Sequence, residues 1–395
     1  MLALLALLPS ARLGETARSD TGAAAAPLPT PTRLKVEHLP AAARDDPPPL
    51  VSTAHPRLAF VPGDSNAPLR NGTVSAYRVV VRARGGGSAV GWDSGRRRGG
   101  SPTSIRCGAP LAADSSWTWS AQFWDAADRP SPLATGHFDT GPIAPADWAG
   151  ARWVGATQQT EIRLRYALPA RRARLYVASP GGATLAVNGQ PLGDQTGVSS
   201  WMDFNKSVAY LGWDLLPRQG GEEEEEQLQH GQEGQEGPQE GPQEVLLSLG
   251  RGFWAGPGVC RTKRRNANNL FQQCGDHPVA RLLLSFDLAN GTRLAGADAM
   301  AAVEITGRAG RILMDDPYLG SLSDMASEDA EWAAALPVPD DQLPLRATGF
   351  GIAALQIPPV RSRALEPETV QPLGSGRFVY KWKTNIVGYE IWAEI

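Results

Sequence analysis

Histidine and cysteine are scarce in this chain, with 5 and 3 among 395 residues. That leaves little from which to build a metal centre. Cys260 and Cys274 stand a short loop apart with Cys107 left over, and paired, free and buried thiols all stay open. Even with His277 nearby, their spacing does not match a zinc site. Charge of one sign is also lacking. A net charge of -3 and a pI near 6.0 argue for neither nucleic acid nor an anionic membrane as partner. No apolar run is long enough to cross a bilayer. The run Met1 to Leu8 has the apolar core of a secretion signal without its basic flank, so a secreted product and a chance N-terminus both stay open. The sequons at Asn71, Asn205 and Asn290 matter only on the secretory route. No Ser-His-Asp, HExxH, Walker or GxGxxG arrangement is present. The residues therefore predict no catalytic constellation, no metal and no cofactor.

Glycine, proline and tryptophan are plentiful instead, at 43, 33 and 12 residues. That suits an all-β protein with many turns and aromatic anchors. The stretch Ile162 to Leu216 alternates apolar with polar or small residues in short runs, the period-2 pattern of half-buried strands. Within it Asn188-Gly189 marks a hairpin, because a type I′ turn needs positive φ at both central positions. Earlier, Ser116 to Trp124 places Trp117, Trp119, Ala121 and Phe123 on one face of a strand. Short strands with turn signals over residues 55–142 predict an immunoglobulin or fibronectin-III-like sandwich. Residues 1–54 read as a possible signal and a disordered Ala/Pro/Asp leader. A second sandwich is expected over 148–342. Residues 218–243 interrupt it with five consecutive glutamates and Gln-Glu-Gly-Pro near-repeats, read as a disordered acidic insertion. A third segment, 343–395, alternates strongly near its end and reads as the first strands of a further β domain that stops short. The single basic loop Arg261 to Asn269 lacks interleaved aromatics and reads as a solvated loop.

Two acidic doublets, Asp315-Asp316 and Asp340-Asp341, are adjacent in sequence, so in an extended chain their side chains point to opposite faces. They read as turn formers or surface charge. Asp324 and Glu328 would share one helical face at i, i+4.

Several segments together resemble the N-terminal half of bacterial-type α-L-rhamnosidases, glycoside hydrolase family 78. They are Trp92-Asp93-Ser94-Gly95, Trp117-Thr118-Trp119 with Trp124-Asp125, and Phe138-Asp139-Thr140-Gly141 followed by Asp147-Trp148 and Trp153-Val154-Gly155. Next come Ala173-Arg174-Leu175-Tyr176, Asn188-Gly189, Tyr210, Asp214-Leu215-Leu216 and Leu249-Gly250-Arg251-Gly252-Phe253-Trp254. A later family segment is partly kept at Tyr318, Gly320, Asp324, Glu328 and Trp332, and a last one at Asn385 and Gly388. The resemblance runs from about His55 to the last residue.

The resemblance implies a jelly roll for the second sandwich. It implies inverting hydrolysis of terminal α-L-rhamnose in the full-length family, with rhamnose-containing glycosides or polysaccharides as partners. One acid then protonates the leaving oxygen while a second carboxylate activates water. In that family both acids sit on an (α/α)6 barrel after the β domains. Nothing in the last 50 residues reads as one of its helices, so this chain is expected to lack the barrel and to be inactive alone. The alternative is a non-catalytic sugar binder or scaffold. Aromatic rings stack on pyranose faces, and Trp201 with Asp203 in a loop-like stretch, Trp254, and Asp324 with Glu328 are the candidate sugar contacts. Phe204 and Trp213 are weaker candidates, Trp213 and Trp254 being on strands where core packing is the stronger reading. Some family jelly rolls bind rhamnose through calcium held by an Asp-Asn pair. Pro180 and Gly181 stand at the matching positions and offer no ligand.

Overall fold

The computed structural model describes residues 27–42, 48–63, 74–84, 89–99, 101–155, 159–192, 207–216, 241–250, 278–310, 312–316, 320–323, 330–338, 351–354, 369–374 and 377–381. Ten strands build the first sandwich. They are β1 (Thr32–Val36), β2 (Leu39–Pro40), β3 (Leu50–Val51), β4 (Arg57–Val61), β5 (Ala76–Ala83), β6 (Val90–Asp93), β7 (Arg97–Arg98), β8 (Ile105–Arg106), β9 (Ser115–Trp124) and β10 (Ala134–Thr140). One sheet runs β2-β1-β4-β8 and the other β3-β10-β9-β5-β6, with β7 also beside β5. Trp117, Trp119, Ala121 and Phe123 line the inner face of β9, as their spacing predicts, and pack with Val36, Leu58 and Phe60 from the opposite sheet.

The segment read from its composition as a leader departs from that expectation. Thr32–Val36 pairs with β4, and Val36 and Leu39 are buried at 0% and 3% exposure. Leu50–Val51 pairs in parallel with β10, and Val51 is fully buried. Only a few apolar side chains are needed to anchor strands this short. Their partners lie far along the chain, so local Ala/Pro content hides them.

A 3₁₀ turn, Pro145–Trp148, connects the sandwiches. The carboxylate of Asp147 accepts the N–H groups of Ile143 and Ala144 at 2.8 Å, which fixes the turn that buries Trp148. The second sandwich begins with β11 (Arg152–Val154), β12 (Gln159–Tyr166), β13 (Ala170–Ala178), β14 (Ala183–Val187), β15 (Gln190–Pro191) and β16 (Ser207–Asp214). It continues with β17 (Gln243–Leu249), β18 (Ala280–Leu288), β19 (Arg293–Ala295), α1 (Ala297–Ala301) and β20 (Glu304–Ala309). The remaining strands are β21 (Ile312–Asp316), β22 (Gly320–Ser323), β23 (Ala333–Ala334), β24 (Gly351–Ala354), β25 (Thr369–Gly374) and β26 (Arg377–Lys381).

Its sheets run β11-β18-β13-β16-β24 and β15-β14-β17-β12-β20-β23 around a core that includes Ile162, Leu164, Leu175, Trp213, Val245, Leu284 and Phe286. Asn188 and Gly189 take φ of 50° and 77°, the left-handed pair that a two-residue hairpin between β14 and β15 requires. The acidic insertion lies outside the described residues apart from its last three positions, and Gln243 already begins β17. Gly351–Ala354, placed by sequence in a third domain, instead pairs in parallel with Ser207–Tyr210 of the second sandwich. β21-β22 and β25-β26 are two-stranded pairs. Among the described residues there is no helical barrel.

The corrected N-terminal boundary has a direct check. Val36→Asp would place an unpaired carboxylate in the core that Phe60 and Trp119 share. It is expected to cost more than about 3 kcal/mol, read as a lowered urea midpoint. A midpoint equal to the parent's would return these residues to a leader.

Candidate functional site

Strand β13 has two buried faces. Ala173, Leu175 and Val177 point into the second sandwich's core, while Arg172, Arg174 and Tyr176 point the other way, toward the first sandwich. Arg174 is the centre of the seam, with 3% of its side chain exposed. Its Nη2 donates to Asp139 Oδ2 at 2.8 Å, and its Nε donates to Asp214 Oδ1 at 2.7 Å. Asp139 lies on β10 of the first sandwich, so one guanidinium ties the two modules.

Asp114, in the loop before β9, makes a second tie. Its Oδ1 accepts Tyr176 OH at 2.6 Å and Arg172 Nη2 at 3.0 Å, and its Oδ2 accepts Arg293 Nη2 at 2.5 Å. Arg172 also reaches Asp287 at 3.3 Å. Beside this cluster sits an apolar one of Trp148, Tyr176, Ala178, Tyr210 and Leu283, with Leu50 of the first sandwich packed against it. Trp148 and Tyr210 meet edge to face at 5.3 Å, and Tyr210 OH donates to Pro142 O at 2.8 Å. Two glycines permit this approach. A Cβ on Gly141 would lie 2.3 Å from Tyr210 Oη, and one on Gly212 would lie 2.8 Å from the Tyr176 ring.

The electrostatics follow from this packing. Burial works against ionised Asp114, but Arg172, the Tyr176 hydroxyl and Arg293 outweigh it and hold the carboxyl below the ordinary range. Burial also opposes the Arg174 charge, yet Asp139 and Asp214 keep it protonated well above its usual range. Tyr176 is pushed well up, chiefly by burial, so it stays a hydrogen-bond donor. A glycosidase acid needs the opposite environment, one that raises a carboxyl toward the working pH beside an open cleft. Asp114, Asp139 and Asp214 each face a guanidinium within a sealed contact. The arrangement ties the two modules together.

The tryptophan-bearing turns of the first sandwich are structural in the same way. Asp93 takes two bonds from Arg78 and the Gly95 N–H, while buried Ser94 accepts the Val79 N–H at 2.8 Å and donates to Gly95 O. Asp125 accepts the N–H groups of Ala127 and Arg129 at 3.0 and 2.9 Å and closes the turn after Trp124. A Cβ on Gly108 would lie 2.8 Å from the Trp92 ring nitrogen, so that ring needs glycine beneath it.

Of the residues read as sugar contacts, Trp201, Asp203, Trp254, Asp324 and Glu328 all lie outside the described residues, as does Phe204. Trp213 packs in the second core at 6% exposure. Pro180 and Gly181 occupy a turn in which the Ser179 hydroxyl accepts the Gly181 and Gly182 N–H groups and donates to Val279 O. Trp332 lies between the guanidinium groups of Arg163 and Arg308, at 4.1 and 4.5 Å. Among the described residues no group of three metal-ligating side chains forms. What sequence reasoning missed is the seam. The spacing Arg172-x-Arg174-x-Tyr176, interleaved with buried apolar residues, is a signal that both faces of β13 are covered.

Two outcomes test the seam. Arg174→Ala removes the buried guanidinium that buried Asp139 and partly buried Asp214 both face and is expected to cost about 3–5 kcal/mol, measured by urea unfolding at neutral pH. Because the folded pKa of Asp114 lies below its unfolded value of about 3.9, the stability it contributes is fully present above about pH 4 and is lost as pH falls through the folded value. Urea midpoints should therefore drop on acidification below about pH 4, and Asp114→Asn should make that drop shallower.

The comparisons with known proteins agree with this geometry. Residues 31–144 match the family model of the Rha78A-like N-terminal immunoglobulin domain. No curated protein matches the chain. Among solved structures, the α-L-rhamnosidase from Dictyoglumus thermophilum superposes with a TM-score of 0.61 at 18% identity, over 89% of this chain and 38% of that one. The native α-L-rhamnosidase from Aspergillus terreus gives 0.60 at 17%, over 88% of this chain and 38% of that one. The Streptomyces avermitilis α-L-rhamnosidase, complexed with L-rhamnose, gives 0.54 at 16%, over 89% of this chain and 48% of that one. The chain thus spans between about two-fifths and half the length of these structures, and at such identities the likeness is one of fold. Residues 31–144 thus resemble a Rha78A-like N-terminal immunoglobulin domain, and most of this chain shares the fold of the matched part of those α-L-rhamnosidase structures.

Proposed function

We propose that this chain is the non-catalytic β portion of an α-L-rhamnosidase-family protein, with the second sandwich as its jelly roll. The full protein would remove terminal α-L-rhamnose from glycosides or polysaccharides with inversion, through two carboxylates on a helical barrel supplied by sequence outside these 395 residues. The modules would divide at about residues 142 and 148, the first starting near residue 27 and the second taking in Gly351–Ala354.

The observation that carries this reading is the seam. Segments matched one by one to the family, around Asp139, Arg174 and Asp214, converge on one buried ion cluster between the sandwiches. Those residues fix one module against the other, which is what a scaffold for a separate catalytic domain requires. Asp139 and Asp214 each face Arg174, and Asp114 is held below the ordinary carboxyl range, which is the wrong direction for a general acid working near neutral pH.

The test is hydrolysis of an aryl α-L-rhamnoside by the purified chain. No release above the uncatalysed rate is expected at any pH between 4 and 8. Turnover that co-purifies with the chain and disappears in a seam-intact variant lacking one of its other carboxylates would overturn the reading.

A further inference from the structure

Residues 31–144 carry 13 Lys and Arg against 9 Asp and Glu, while the full chain is at -3, so positive charge is concentrated in the first sandwich. Much of it lies on one surface, the outer face of the sheet β10-β9-β5-β6. On β5 the residues Arg78 and Arg82 point outward, opposite the inward Val79 and Val81, and Arg98 on β7 shares that face by pairing with Ala76. At about 3.3 Å per residue, Arg98, Arg78 and Arg82 form a stripe roughly 20 Å long. All three are exposed.

Their partners differ. Arg78 is matched by Asp93, and Arg96 nearby is matched by Asp128 while its guanidinium lies 4.5 Å over the Trp124 ring. Arg82 and Arg98 have no carboxylate within ion-pair distance among the described residues. Beside this charged row, the outer face of β9 is a row of neutral hydrogen-bonding groups. Gln122 stands opposite Arg78, Ser120 opposite Val80 and Thr118 opposite Arg82, each partly accessible.

We propose that this face binds a polysaccharide whose hydroxyl-rich chain carries carboxylates. Two guanidinium groups without an ion-pair partner among the described residues, about 20 Å apart, would each take a carboxylate from sugars several units apart along the polymer, with the amide and hydroxyl row lying between them. A single-stranded nucleic acid asks for aromatic platforms on which its bases stack. The one tryptophan here already has a face taken by Arg96. Arginine is the fitting cation, since its planar fork takes both carboxylate oxygens, as Arg78 does with Asp93. The site is separate from the seam and does not depend on the proposed function.

The experiment titrates the full chain with alginate, a polyuronate, by calorimetry at low salt, alongside propylene-glycol-esterified alginate and a neutral dextran. Binding to alginate alone is expected, weakening as salt is added. The double variant Arg82→Ser, Arg98→Ser removes two exposed side chains without an ion-pair partner among the described residues, and its circular dichroism should match the parent's. Its affinity for alginate is expected to fall at least tenfold. Equal binding of the esterified polymer, unchanged affinity in the double variant, no binding at all, or equal affinity for polyphosphate would each overturn the proposal.

Discussion

A guanidinium taken from water into a protein interior is unfavourable by several kcal/mol unless its charge is met and its donors are used. For Arg174 the charge is met by carboxylates from two sources, Asp139 on the first sandwich and Asp214 on the neighbouring strand of its own sheet, through Nη2 and Nε, while its buried Nη1 has no hydrogen-bond partner among the described residues. Neither module alone would satisfy it. The first sandwich without the second would leave Asp139 facing solvent, and the second without the first would leave half of Arg174 unpaired beside Tyr176. The joined state is therefore the one in which the buried charges balance. Asp114 repeats the pattern with Arg172, Arg293 and Tyr176.

The rest of the architecture serves that contact. β13 must be apolar on one side to hold its own core and polar on the other to reach across, and its alternation delivers both. Glycine at 141 and 212 lets the Tyr210 and Tyr176 rings close the edge of the charged cluster with apolar surface. A drier surround strengthens each ion pair and raises the cost of losing one. The 3₁₀ turn that Asp147 holds brings Trp148 into the same apolar layer.

Much of the fold was readable because its signals are local. The inward face of β9 shows in four alternate residues, and the β14-β15 hairpin in the two residues whose φ is positive. The strands that escaped notice are those that need a distant partner. Thr32–Val36 alternates and turns back on Leu39–Pro40, but it is too short to stand out until β4 pairs with its other edge, and Gly351–Ala354 lies in parallel beside β16, about 140 residues away. The seam was legible in pieces and invisible as a site. The ion pairs that cross between the sandwiches join residues between 35 and 179 positions apart, so a linear reading finds each half in a different motif. Asp139, Arg174 and Asp214 each stand in a different family-like motif, and their meeting emerges only once the strands are in register. The proposed sugar contacts at Trp201 and Trp254 lie outside the described residues, so nothing in the fold bears on them.

The alternation along β13 also governs relative movement of the two modules. On the face of β13 that meets the first sandwich, polar side chains recur only at every second residue, Arg172, Arg174 and Tyr176, so a slide of one residue would leave Asp139 between them and only a shift of two would bring another polar side chain opposite it. Small displacements thus meet a steep electrostatic wall, and the neighbouring stop lies a whole pleat away. The joint therefore favours a single bearing of one module on the other, the one in which each carboxylate meets its guanidinium.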